Sequence, residues 1–399
     1  MHAAKSVREL ITLSARPNEE FRAALVEALG EENIVKGTAV LGEGPDFVFA
    51  LESREAPVLY VDGESAGRMR PVRGTPLWFA TARLETGRSH SFYYVVAGER
   101  RGGRTDIAAY LPESYEQEGV PHGTLSEKLT HTSQIYPGMT SDYWIYVPAQ
   151  YRPDTPAALM VWQDGESHTV RNGNNRTLNV VDNLIQQDKI PVMILVFINP
   201  GTAGGRRMRS IEYDRIDDTY ARFLRDELLP EVYAKYNIRK DGYSRAIAGV
   251  SSGGICAFNV AWNQPDQFSR VLSIVGSFTS IQWRPGEQDG GNLYPFKVRK
   301  EDVRNIRVWL QDGSEDLENN HGSWPLQNIQ MANSLKLKGY DFHFSFGHNT
   351  HSALGAYSEL PRSMAWLWRD YDPSRTEQIY EADPQEADKP FFRVKELNR

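Results

Sequence analysis

The 399-residue chain carries 45 Lys and Arg against 52 Asp and Glu, a formal charge of -7, and 40% of it is hydrophobic. That is enough apolar material for a sizeable core, and the length suits two domains or one large domain with an extension. The acidic balance argues against broad contact with nucleic-acid phosphates or anionic lipid, which needs clustered Lys and Arg, and the single cysteine, Cys256, leaves no intrachain disulfide.

The N-terminal stretch MHAAKSVRELITLSARP lacks the apolar h-region of a signal peptide. The compartment stays open on this reading: cytoplasm, or periplasm or exterior with a signal removed. Residues 5–29 read as helical, with a break at Pro17, a cap at Asn18 and a stop at Gly30, so 1–30 form an N-terminal helical segment. Short strands follow at 47–51, 58–61, 77–80 and 91–96, separated by turns such as Asp62-Gly63 and Thr86-Gly87. Their spacing predicts a small β-sandwich over 31–110. Gly, Pro and charge crowd the segment from 98 to 125, which reads as a linker or wrapping segment, with the linker proper at 111–125.

From 126 to 370 strands alternate with helices. Strands are expected at 142–147, 158–162, 192–198, 245–248, 270–275, 306–311 and 342–346, and helices near 176–187, 217–236, 254–263, 325–338 and 357–369. This alternation predicts an α/β fold with a mostly parallel sheet covered on both faces. The apolar run 192–198 suits a buried strand and is far too short to span a bilayer, so no membrane insertion is expected. The charged tail 371–399 either stays loosely ordered or docks through Phe391-Phe392.

The pattern G-x-S-x-G occurs twice, around Ser65 and around Ser251. A nucleophilic serine of this kind needs a strand, a very tight turn and a helix. The turn strains the backbone and lifts Oγ above the sheet, while the helix N-terminus favours a developing oxyanion. Ser65 sits in VDGESAGRMR, a hairpin with no helix after it, and a plain turn residue is the reading there. Ser251 follows Arg-Ala-Ile-Ala and precedes the apolar segment Gly254–Trp262, which fits strand-turn-helix. Cys256 in that helix reads as a small buried hydrophobe.

In this architecture the acid and the histidine follow the serine along the chain. After strand 306–311 come Asp312 and, in a G-x-x-D loop, Asp316; Asp316 is favoured and Asp312 is the alternative. After strand 342–346 comes Gly347-His348-Asn349-Thr350-His351. His351 is favoured as base because its loop can reach over the serine, with His348 the alternative base. His343 lies within the strand, where packing is the reading. Zinc at His343, His348 and His351 is the rival chemistry, but the spacing is not that of a helical HExxH site, so no metal and no cofactor are expected. The expected oxyanion donors are the Ser252 N–H and one from Gln163-Asp164-Gly165-Glu166, at Gly165 or Glu166, with Gly165 letting backbone approach substrate.

GVSSGG on a strand-helix turn, LQDGSEDLEN after a later strand and MVWQDGE after an early one resemble the enterochelin (trilactone siderophore) esterases. They also resemble the wider esterase group that includes feruloyl and acetylxylan esterases and S-formylglutathione hydrolases. The resemblance spans residues 126–370 and implies an α/β-hydrolase fold and acyl-ester hydrolysis by Ser251, Asp316 and His351. The strand-rich segment before it is similar to the immunoglobulin-like N-terminal domain of enterochelin esterases. One departure is the loop GHNTHS, which is often Gly-rich in the family and keeps His348 in play.

Segment 201–214 lies at the expected carboxyl edge of the sheet, where ligands bind. Arg206, Arg207 and Arg209 are candidates for an anionic or catecholate group, with Glu212 orienting one of them; solvated, salt-bridged arginines are the plainer reading. Trp283 and Trp324 are candidates for stacking on an aromatic or sugar group, against simple packing in loops. Partners are then small-molecule or saccharide-linked esters, with oligomerisation left open. Two other functions stay open: a non-catalytic carbohydrate- or protein-binding module on this scaffold, and acyl transfer to an acceptor other than water.

Overall fold

In a computed structural model, which describes residues 5–393, the chain begins with α1 (Val7–Leu13). Ser6 and Glu9 close a reciprocal capping box on it, at 3.2 and 2.7 Å. Asn18 caps α2 (Glu19–Leu29) by accepting the Phe21 N–H, and Gly30 stops it with φ 82°, as the sequence predicts. A further short helix, α3 (Glu31–Lys36), follows.

The next eight strands are β1 (Val40–Glu43), β2 (Asp46–Glu52), β3 (Val58–Val61), β4 (Glu64–Arg68), β5 (Arg70–Pro71), β6 (Leu77–Arg83), β7 (Arg88–Val96) and β8 (Glu99–Ala109). They form two antiparallel sheets of order β1-β2-β6-β5 and β4-β3-β7-β8. The two sheets share a core between β2 and β7, as the predicted sandwich requires. Period-two alternation in β2 divides its side chains between two cores. Phe47, Phe49 and Leu51 meet Phe92 and Tyr94 of the opposite sheet. Val48 and Ala50 meet Phe21 and Leu25 of α2.

Two expectations change here. Residues 99–109, inside the predicted sandwich but grouped with the linker or wrapping segment 98–125, are strand β8; its charged residues Glu99, Arg100 and Arg101 are exposed, and Gly102 and Gly103 shift its register against β7. Alternation is therefore blurred by a solvent face and an irregularity. The helical segment 1–30 is also not separate, because its apolar face completes the β2–β6 core. The chain divides into two compact units: Met1–Pro112 with Leu354–Glu359, and Glu113–Ala353 with Leu360–Arg399.

The second unit is built on one large sheet. Its elements are β9 (Thr124–Leu125), β10 (Leu129–Thr132), β11 (Met139–Val147), β12 (Ala158–Gln163), α4 (Thr177–Gln186), β13 (Met193–Ile198), β14 (Thr202–Ala203), β15 (Arg206–Arg207) and α5 (Arg209–Tyr213). Then come α6 (Thr219–Phe223), α7 (Leu229–Tyr233), β16 (Arg245–Val250), α8 (Ser252–Asn263), β17 (Arg270–Ile274), α9 (Tyr294–Lys300) and β18 (Arg307–Gly313). The small hairpin β19 (Glu318–Asn319) and β20 (Gly322–Ser323) leads to α10 (Trp324–Leu337) and β21 (Asp341–Gly347). α11 (Leu354–Ser358) belongs to the first unit, and α12 (Leu360–Leu367) returns to the second.

Strands β13, β12, β16, β17, β18 and β21 lie parallel in that order, with β11 antiparallel at the side of β13. Every residue of β12, β13 and β18 is buried, the signature of parallel strands covered on both faces. Segment 113–125, expected as linker, joins this unit: β9 pairs with β11, and Asn183 donates to the carbonyls of Glu113 and Tyr115. The single helix expected at 217–236 is interrupted by a π-turn at Leu224–Leu228, just ahead of Pro230, which has no N–H to give. The tail docks: Tyr380 is buried with its hydroxyl on Ser269, and Asn333 pairs with both backbone groups of Phe392. Among the described residues no helix is long and apolar enough to cross a membrane.

Candidate active site

Parallel strands bring their carboxyl ends to one edge, and the loops there hold the chemistry. Ser251 occupies the turn between β16 and α8 with φ 63° and ψ -118°, a conformation L-residues rarely adopt. Backbone bonds pin it: its N–H donates to the Ile274 carbonyl at 2.8 Å, and its carbonyl accepts the Ser277 N–H at 3.0 Å. The flanking glycines are steric necessities. A Cβ on Gly249 would collide with the Gly253 backbone, and one on Gly254 would press on the backbone of Ile274 and Gly276. Ser65, by contrast, sits exposed in β4 and caps the Gly67 N–H.

Ser251 Oγ lies 2.7 Å from His351 Nε2, and His351 Nδ1 lies 2.6 Å from Asp316 Oδ1. Asp316 Oδ1 also accepts the Leu317 N–H at 2.6 Å. Burial alone would raise the Asp316 carboxyl, but the bonds from His351, Asp312 and Leu317 outweigh it and hold it below the usual range. His348 is exposed and meets Ser314 Oγ at 3.2 Å, while His343 stacks on Trp309 with centroids 4.1 Å apart. The three histidines therefore make separate contacts.

A second hydroxyl, which the sequence did not single out, touches the serine. Ser277, in the loop after β17, lies 3.2 Å from Ser251 Oγ and accepts the Trp324 Nε1–H at 3.1 Å. Trp324 is buried, its ring edge-on to His351 at 5.7 Å. It braces Ser277 and His351 and, being buried, offers no face for stacking. Trp283 is half exposed.

Ser252 opens α8 beside Asp214, whose Oδ2 accepts the Ser210 hydroxyl at 2.7 Å. Gly165 is buried, but for a reason other than substrate approach: a Cβ there would strike the backbone of Phe197 and Ile198 in β13. The Glu166 N–H is engaged by Asn199 Oδ1 at 2.9 Å, so it is not turned to an oxyanion. Arg209 grips Asp164 through two bonds of 2.9 and 2.7 Å, whereas Arg206 and Arg207 stand exposed on the β14–β15 hairpin. Glu212 was expected to orient an arginine. Instead it is buried and accepts the Gly201 N–H at 2.8 Å, because Asp164 has taken Arg209. Burial pushes the Glu212 carboxyl up to about 8, helped by the nearby Asp164 charge and opposed by the Gly201 bond.

Residues 138–353 match the model of the Esterase family, described as "Putative esterase". The chain belongs to this esterase family. It is a carboxylic ester hydrolase of α/β-hydrolase fold. Among solved structures, this esterase is similar to an enterobactin esterase of Shigella flexneri crystallised with 2,3-dihydroxy-N-benzoyl-serine (TM-score 0.56, 17% identity, 84% of this chain and 97% of that one). A ferulic acid esterase of Anaeromyces mucronatus, in complex with ferulic acid, gives a TM-score of 0.51 at 17% identity over 66% of this chain and 98% of that one. At such identities the likeness speaks for the fold. An uncharacterised Bacillus subtilis protein, YbbA, is 21% identical over 211 residues, 50% of this chain and 79% of that protein.

Proposed function

We propose that this esterase cleaves its ester through Ser251, His351 and Asp316 by way of an acyl-enzyme. The observation that carries the reading is the hydrogen-bonded line from Ser251 Oγ through the His351 ring to Asp316, at 2.7 and 2.6 Å. Ser251 Oγ attacks the acyl carbonyl as His351 Nε2 takes its proton, and the same nitrogen then returns the proton to the leaving alcohol. Asp316 keeps the Nδ1–H tautomer in place and stabilises the imidazolium. The backbone N–H groups of Ser252 and Gly165 are the oxyanion donors in this reading, since the Glu166 N–H is already engaged by Asn199. Water then attacks the acyl-enzyme by the reverse route.

Two substrate classes fit the chemistry: a siderophore trilactone, and a feruloyl or acyl-sugar ester. Arg206 and Arg207 are exposed on the β14–β15 hairpin at the carboxyl edge of the sheet, and in this reading they meet an anionic or catecholate group. Trp283 is the exposed ring for an aromatic acid. Arg209 is a holder of Asp164 in this reading, not a substrate contact.

A fluorophosphonate probe and p-nitrophenyl acetate and butyrate test the first claim. Labelling and turnover are expected, with both lost in Ser251→Ala and turnover lost in His351→Ala but kept in His348→Ala. Labelling that survives in Ser251→Ala would sink the reading. A panel of enterobactin, feruloyl sugars and acetylated xylan then ranks the substrates; trace hydrolysis with rapid transfer to added alcohols would instead indicate acyl transfer.

A further inference from the structure

Asp312 was weighed as the acid and proves to stand beside it. It is the next-to-last residue of β18, is wholly buried, and accepts two donors: the Gly313 N–H on Oδ1 at 2.8 Å and Asn328 Nδ2 on Oδ2 at 3.0 Å. Its remaining polar neighbour is Asp316, whose carboxyl it faces side chain to side chain within hydrogen-bonding reach. Ionised carboxylates only accept, so this contact needs a proton on one of them. Asp316 has the stronger hold on the charge, because its Oδ1 faces both His351 Nδ1 and the Leu317 N–H. Its Oδ2 is buried and meets no N–H or hydroxyl donor among the described residues.

Asn328 settles the direction. Its amide nitrogen faces the carbonyls of Gly276 and Trp324 at 3.0 and 3.1 Å, which can only accept, so the NH2 group cannot be exchanged with the amide oxygen. Asn328 therefore donates to Asp312 and offers no acceptor for the Asp312 proton. We propose that Asp312 is a neutral carboxylic acid that donates a hydrogen bond to the open oxygen of Asp316, and so acts as a positioning residue for His351. This rests on the reading of Asp316 as the triad acid.

The electrostatics run the same way: burial, then the bond to Asp316 and its charge, push the Asp312 carboxyl far above the usual carboxylate range. With a donor on each oxygen, the Asp316 carboxylate cannot rotate away from His351. The pair carries one negative charge, matched to the one positive charge of the imidazolium that forms in turnover. Asp312 keeps its proton throughout.

Infrared spectroscopy of the full chain labelled with carboxyl-13C aspartate tests the proton directly. At neutral pH a protonated-carboxyl C=O band is expected in the wild type and in Ser251→Ala, and absent from Asp312→Asn; no such band in the wild type would overturn the proposal. Kinetics test the positioning. Asp312→Asn, whose amide still donates, is expected to keep kcat within about five-fold with an unmoved acid limb of the pH profile. Asp312→Leu is expected to lose about ten-fold or more in kcat, with that limb shifted upward because an undamped Asp316 holds the imidazolium more tightly. Asp312→Asn as inactive as Asp316→Asn, or Asp312→Leu equal to wild type, would each overturn it. The infrared band needs no turnover, so it separates failure of this proposal from failure of the triad, which Ser251→Ala reports. Should Asp312→Leu not fold, the band and the Asn variant still decide.

Discussion

Ser277 shows how much of the site a single hydroxyl can direct. It accepts the Trp324 indole N–H, so its own proton is free to point at Ser251 Oγ, 3.2 Å away. With Ser277 donating, Ser251 turns its proton to His351 Nε2, the direction that attack requires. Ser277→Ala is expected to lower kcat by about two- to ten-fold with KM nearly unchanged, since one neutral hydrogen bond is worth roughly 0.5–1.5 kcal/mol; an unchanged kcat would remove Ser277 from the account. Glu212 makes a pH prediction. Its carboxyl titrates near 8 in the fold against 4.5 when exposed, so the folded state binds the extra proton between those values and stability falls as pH rises through that window. Glu212→Gln should flatten the decline, raising the melting temperature by about 2–4 °C at about pH 8 and leaving it little changed below about pH 4.5. Melting curves of both proteins across that range check the sign. Neither role was legible in the sequence: Ser277 and Glu212 become polar groups of the site only because separate strands end at one edge.

At the scale of elements, the strand-turn-helix around Ser251 is the part of the site most nearly written into local sequence. Gly249 is required because β16 and the start of α8 at Gly253 are closer than a Cβ allows, while Gly253 packs closely on the side chains of Gln163 and Asp164. Gly249→Ala should cost roughly 1–3 kcal/mol in denaturant melts and abolish fluorophosphonate labelling, whereas Ser65→Ala, on an exposed strand, should change neither. The contrast tests whether the context or the pattern matters. Gly165 teaches the complementary lesson. A glycine in a loop that borders a site invites a ligand explanation, yet here it is the β13 backbone that excludes a side chain. Residues 99–109 failed as a sequence reading because half of β8 faces solvent and its glycines break the alternation.

The whole molecule is held partly by charges that no linear reading could pair. Arg307 of β18 and Asp341 of β21 meet at 2.7 Å with both side chains 2% exposed, and Arg369 reaches the same carboxylate at 2.7 Å. Removing Asp341 leaves the buried Arg307 with Asp370, at 3.3 Å, as its remaining carboxylate, so Asp341→Ala should destabilise by up to about 3–5 kcal/mol while the activity of the molecules that remain folded is unchanged. Thermal melts alongside active-site titration check both halves. What the sequence determined by itself was the class of fold, the strand-turn-helix around Ser251 and the chain order of Ser251, Asp316 and His351. Those follow from periodicity, from glycines that local geometry demands, and from the order in which parallel strands deliver their loops. Tertiary structure alone decided which histidine meets Ser251, that Arg209 is held by Asp164, that Trp324 is buried against Ser277 and His351, and that Asp312 and Asp316 stand together near His351. Each of these depends on distances between residues far apart in the chain, which appear only once the strands lie side by side.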